Sequence, residues 1–311
     1  MSSDASHRSL LWFLLIAFGF SWALHLAVYL GPGRESLGGT LLVALSMFGP
    51  TVATFVVTRW IARPEEGIAR ATGLVLGTHW KRFWVLALLG TPALIVGALA
   101  LSVAFGRFEV DLVEFSGMRA LLESKVPAEV MAKLPPMSVL VALQFAQGIV
   151  FGPIFNAPVC FGEEWGWRGW LLPRLEVLGI GRALVLHGVI WGLWHAPIIL
   201  QGHNYPDQPV LGVLLMTVFC TLLGVLLGWT RLATGSIWPA VIAHGIINGL
   251  AGGLVTMVGR AGAHVDNAQV GLLGWPGWVL MAVLIAVLVA TGRLSGTASS
   301  TGHDPKLTTA G

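Results

Sequence analysis

Charge is scarce in this chain. Of its 311 residues only 11% are Asp, Glu, Lys or Arg, against roughly 25% in an ordinary soluble domain, and a water-soluble globular architecture does not fit that composition. Cysteine is scarcer still: Cys160 and Cys220 both lie inside apolar runs. They offer neither a disulfide framework nor a C-x-x-C metal site, and each reads as a small packed hydrophobe. A basic stripe is also missing, because the 18 Lys and Arg residues are scattered between apolar runs. The formal charge of +3 therefore does not point to nucleic acid. The partner implied is the lipid bilayer, which such residues orient a protein within.

Apolar residues are what the chain has in excess, at 55% or about 171 positions. Eight crossings at about 20 residues each would use about 160 of them. Eight apolar segments can be read: 9–30, 38–62, 83–106, 139–172, 183–201, 209–230, 236–258 and 271–292. The expected fold is all-α, a polytopic membrane helical bundle with about eight transmembrane helices. It comprises an integral membrane domain over 1–294 and a disordered cytoplasmic tail over 295–311, rich in Ser, Thr and Gly. The head MSSDASHR is followed by an apolar run without a small-residue cleavage site, so the first segment reads as a retained anchor.

Basic residues in alternate loops set orientation. With the N-terminus inside, 12 fall on the inner side (Arg8, Arg59, Arg63, Arg70, Lys81, Arg82, Arg168, Arg174, Arg182, Arg231, Arg293 and Lys306) and 6 outside. That split predicts a multi-pass plasma-membrane protein with both termini cytoplasmic. The long external loop, 107–138, carries five acidic and four basic residues and reads as a partly helical cap. Trp12, Trp60, Trp80, Trp84, Trp229 and Trp238 fall near segment ends, where amphipathic rings favour the interface.

Ionisable groups inside a span are costly and need a partner and a reason. Four places carry them: Glu163, Glu164 and Arg168 in the fourth segment; His187 and His195 in the fifth; His244 with Asn248 in the seventh; and His25 in the first. Glu163 and Glu164 are neighbours, so on a helix they point about 100° apart and take different tasks. Glu164 and Arg168 are spaced i, i+4 with the acid first, which favours a same-face ion pair. Glu163 is then the unpaired carboxylate, a candidate general base, although a cluster of surface charges at a helix end would share the same spacing.

His244 and Asn248 are also i, i+4 and offer a ring nitrogen and an amide, able to stabilise an oxyanion or to bind a metal or water. His187, Trp191 and His195 form one stripe. At about 1.5 Å per residue, His195 lies roughly 19 Å, His244 roughly 12 Å and Glu163 roughly 14 Å from the inner segment ends. The three can meet in one wet cavity, expected to open towards the cytoplasm. The fourth segment, 34 residues or about 51 Å if straight, must be tilted or broken, and Pro153 and Pro158 are the places for a kink.

The run GEEWGWRGWLLPRL from Gly162 to Leu175 resembles the E-E-x-x-x-R motif of the CPBP family (CAAX protease and bacteriocin-processing, also called Abi). WGLWHAP, Trp191 to Pro197, resembles its F-x-x-x-H motif, and HGIIN, His244 to Asn248, its H-x-x-x-N/D motif. The motifs occur in the family's order, each on its own segment, within about 140–258. Trp191 departs from the usual Phe, which should alter packing around His195 more than chemistry.

The resemblance implies an intramembrane endopeptidase, similar to type II CAAX prenyl endopeptidases, acting on a peptide or membrane-protein substrate. Glu163 would activate water with help from His195. His244 and Asn248 would stabilise the oxyanion, and Glu164 and Arg168 would hold the site in place. Family members are commonly called metalloproteases, and Glu163, His195 and His244 could ligate Zn²⁺. They come from three segments without an H-E-x-x-H pair on one helix, and the metal-free alternative is preferred. Rival readings are a proton-coupled transporter, disfavoured by the lack of inverted symmetry, and a non-catalytic scaffold or immunity protein. His187 is assigned a structural role, and His25→Ala is expected to be nearly neutral for activity.

Overall fold

The computed structural model describes residues 3–294, with side chains from residue 7 onward; the expected tail at 295–311 lies outside the described residues. Every apolar segment read from the sequence is helical. The main helices are α1 (Ser3–Leu30), α2 (Leu37–Ile61), α3 (Trp80–Ala104), α4 (Met137–Val150), α5 (Gly152–Leu178), α6 (Ile180–Trp194), α7 (Pro209–Thr234), α8 (Trp238–Val258) and α9 (Trp275–Ala290). Among the described residues the extended pairing is confined to one bridge, Val110 with Gly259.

The count of about eight spans is approximate. Five helices are long and apolar enough to cross a bilayer, or six if α4 and α5 count as one bent span. The apolar helices α6 and α9 hold 15 and 16 residues. At 1.5 Å per residue they fall short of a hydrocarbon core about 30 Å thick. Helix α6 ends early because the chain turns at His195 into a separate short helix, Ala196–Ile199.

Local chemistry explains the boundaries. Helices α7, α8 and α9 each carry proline in the first turn, where a missing N–H costs nothing. Ser36 caps α2 by accepting the Gly39 N–H at 2.9 Å. Gly235 ends α7 at φ 73°, a left-handed conformation that glycine adopts without strain. The expected kink falls at Phe151, just before Pro153, where α4 and α5 meet at 41°; Pro158 stays inside α5.

Small residues let the central helices touch backbone to backbone. A Cβ on Gly245 of α8 would stand 2.7 Å from Pro153 Cα, and one on Gly249 2.9 Å from Gly152 Cα, so α5 and α8 share a glycine seam. In the same way, Gly188 and Gly192 of α6 abut Thr221 and Thr217 of α7. These two seams fix the helices that carry the ionisable groups. Outward faces stay apolar, as on α1, where Leu11, Leu15, Leu26 and Tyr29 are exposed.

The bundle has two distinct ends. At one, the expected cap forms, with helices Ser116–Glu123 and Ala128–Met131. It is stitched to the α8–α9 loop by Gly117 N–H to Gly259 O (3.1 Å) and Arg260 N–H to Glu109 O (3.0 Å). At the other, the 62–79 loop is drawn into the bundle. Ile237 N–H donates to Gly73 O (2.9 Å), Trp165 Nε1 to Thr72 Oγ1 (2.7 Å) and Trp238 Nε1 to Leu74 O (3.0 Å). Trp238, expected at the interface, thus serves as a clamp.

Candidate active site

Glu163 and Glu164 end the regular part of α5, and the next stretch, Trp165–Leu171, is wound as a π-helix, a widened turn frequent at functional sites. The two carboxylates diverge as their spacing requires. Glu164 is fully buried and its Oε1 accepts from Arg168 Nη1 at 2.9 Å, the expected i, i+4 pair. The same oxygen also meets His244 Nδ1 at 2.9 Å. Sequence reasoning missed that second partner, because it depends on the glycine seam that brings α8 against α5.

Glu163 turns the other way. Its Oε2 accepts from the indole Nε1 of Trp191 at 2.7 Å. Trp191 does more than pack against His195: the Arg168 guanidinium lies 4.0 Å from the centre of its ring, and His244 meets the ring edge-on at 5.8 Å. Its carbonyl receives His195 Nδ1 at 2.8 Å. One side chain therefore touches both motif histidines, the candidate base and the buried cation. A phenylalanine could not donate to Glu163.

These contacts fix tautomers. A carbonyl oxygen can only accept, so His195 Nδ1 carries hydrogen and the neutral ring presents the lone pair of Nε2. For His244, Nδ1 donates to the Glu164 carboxylate, and Nε2 is a lone pair in the neutral ring or an N–H in the imidazolium.

Glu163, Trp191, His195, His244 and Asn248 line one cavity of about 830 Å³, within the size range of about 300–1,000 Å³ typical of ligand sites. The predicted residues thus meet at a single space. Glu164 and Arg168 lie behind it, fully buried. His187 is buried outside its lining, in keeping with a structural role. His25, expected to be dispensable for activity, is on the cavity wall: its Nε2 lies 2.8 Å from Ser46 Oγ, which itself donates to Val43 O at 2.6 Å. His203, in the α6–α7 connection, lines the wall too. Sequence reading passed over it because it stands outside the apolar segments.

The direction of the cavity corrects an expectation. From Glu163 it runs past Gly117 and Ala120 of the cap to exposed Arg260, Ala261 and Gly262, and none of its lining comes from 59–82 or 229–241. It opens at the cap end, which the charge count puts outside. Cytoplasmic termini and a cytoplasm-facing cavity therefore cannot both hold. Arg168 also drops out of the charge count as a buried ion-pair partner, which leaves 11 against 6.

A metal was considered on Glu163, His195 and His244. Both rings leave Nε2 free, as metal-bound histidines do. Among the described residues, however, no three His, Cys, Asp or Glu side chains gather closely enough to hold an ion.

Residues 139–250 match the family model described as Type II CAAX prenyl endopeptidase Rce1-like, so the segment that holds the site is similar to that family. A protein of Methanococcus maripaludis, "CAAX prenyl protease 2", is 28% identical over 141 residues, 41% of this chain and 52% of that relative. The chain thus spans about half the length of the relative it matches. Every motif residue, from Glu163 to Asn248, lies within the matched segment.

Proposed function

We propose that this protein is an intramembrane endopeptidase of the CAAX type that hydrolyses a peptide bond with water activated by Glu163. The observation that carries the reading is the cavity lined jointly by Glu163, His195, His244 and Asn248. A water held between the free oxygen of Glu163 and His195 Nε2 gives its proton to Glu163 as its oxygen attacks the peptide carbonyl. The oxyanion receives the Asn248 amide and the Nε2–H of the His244 imidazolium, whose Nδ1 donates to Glu164. Glu163 then returns the proton to the leaving amine. Trp191 keeps Glu163 in the attacking rotamer.

The reaction is metal-free in this proposal, supported by the lack of a three-donor cluster among the described residues. It predicts no stoichiometric metal in active protein and unchanged cleavage after chelation. Peptide hydrolysis, and not prenyl specificity, is what the likeness is taken to convey. The test is a terminal-proteomics comparison of membranes holding wild type or Glu163→Gln: new termini that depend on Glu163 support the activity, and identical terminomes overturn it.

Orientation follows the charge count, with the multi-pass protein in the plasma membrane, termini cytoplasmic and the cap end outside. Substrate then reaches the cavity from the outer face or from the membrane. An impermeant thiol reagent should label Ala261→Cys in intact cells, since native Cys160 and Cys220 are buried. Labelling seen only after lysis would reverse the orientation.

A further inference from the structure

A second concavity lies at the closed end, far from the candidate active site in character as well as in lining. It measures about 340 Å³ and is bounded by Arg82, Leu86, Leu89 and Gly90 of α3, with Trp229 of α7 and Arg293 just beyond α9. Positions 82, 86, 89 and 90 fall on one stripe of α3. The groove therefore runs along that helix over positions 82–90, about 12 Å, from its end towards the middle of the bundle.

Its two ends differ in chemistry. At the helix terminus stand two exposed guanidinium groups, and among the described residues neither has a carboxylate within ion-pairing distance. Deeper in, the surface is hydrocarbon: Leu89 is 67% exposed and Leu86 43%, while Gly90 withholds a side chain from the floor. Trp229 packs against Phe83 with ring centroids 5.3 Å apart and planes tilted by 57°, and closes one side near the level where aromatic rings meet headgroups.

A cationic head followed by an apolar trough has the polarity of an anionic glycerophospholipid. Charge complementarity decides the occupant: two guanidinium forks match phosphate oxygens geometrically, and a zwitterionic lipid would bring its own cation against them. We propose that this groove binds an anionic phospholipid, with its phosphate between Arg82 and Arg293 and an acyl chain along Leu86, Leu89 and Gly90. The inference is independent of hydrolysis.

The test uses the full chain in neutral detergent, with retained lipid read by native mass spectrometry. Wild type should retain phosphatidylglycerol over phosphatidylcholine, and the double variant Arg82→Ala/Arg293→Ala should weaken phosphatidylglycerol binding about thirtyfold, two surface charges at about 1 kcal/mol each. Leu89→Trp, which fills the trough without touching either arginine, should also lower retention, and both variants should keep wild-type thermal unfolding. Excess inorganic phosphate should leave bound phosphatidylglycerol in place. Equal retention of the two lipids, undiminished binding by the double variant, or displacement by free phosphate would each overturn the proposal.

Discussion

Glu163 and Glu164 are joined by one peptide bond and inhabit opposite regions. Glu163 faces a cavity with histidine, asparagine and an open mouth, and it has one neutral donor, the Trp191 indole. Glu164 is sealed between Arg168 and His244 with no exposed surface. The first arrangement leaves a carboxylate oxygen available for chemistry. The second spends both neighbours on neutralising a buried charge, whose removal from water is costly unless paired. A single residue step, about 100° around the helix, thus separates a reactive side from a structural one.

Substitutions can break that comparison, and the largest effect is expected at Glu163→Gln. Cleavage should fall by about 10²–10⁴-fold, the usual contribution of a general base, while thermal unfolding stays near wild type. A folded Glu163→Gln protein with normal turnover would erase the distinction. On the sealed side, Arg168→Met leaves Glu164 short of a partner and should cost about 3 kcal/mol of stability, read as a lower unfolding midpoint in detergent. If Arg168→Met instead kept its stability and lost activity alone, the two sides would not differ as described.

Trp191→Phe sharpens the comparison, because it removes the donor to Glu163 and keeps an aromatic ring. A hydrogen bond to a charged group contributes about 1.5–3 kcal/mol, so kcat should fall roughly tenfold or more with KM little changed. His25→Ala, on the cavity wall but away from the motif contacts, should raise KM by a few fold and leave kcat alone. The smallest effect concerns the cap. Asp111 is held at about 2, below its ordinary 3.8, by hydrogen bonds from the Ser116 side chain and the Glu114 N–H. Because that carboxyl is depressed, its contribution to cap order is complete above the ordinary value and is lost as pH falls through about 2. Amide exchange at Glu114 and Ser116 should follow that window, and Asp111→Asn should flatten it.

Much of this was legible in the residues. Glu163, His195, His244 and Asn248 stood out because polar groups inside apolar runs demand partners, and the Pro153 bend followed from segment length. The His244–Glu164 contact was not legible, since it depends on Gly152, Gly245 and Gly249, where the informative feature is a missing side chain. Hydropathy gave a depth for each group but not which end is open, because the 62–79 loop closes its end through backbone carbonyls and single indole donors. The span count suffered for a related reason: composition marks α6 and α9 as apolar without saying that they stop at 15 and 16 residues.

That closed end has a consequence for the cell. A hydrated hollow in a bilayer threatens to become a leak, and an ion gradient would drain through any continuous file of water. Here the Trp165, Phe161 and Trp238 rings stack in series, with centroids 5.5 and 5.8 Å apart, behind the loop that Thr72, Gly73 and Leu74 anchor. This aromatic stack lies between the closed end and the cavity at Glu163, where it would interrupt a continuous file of water.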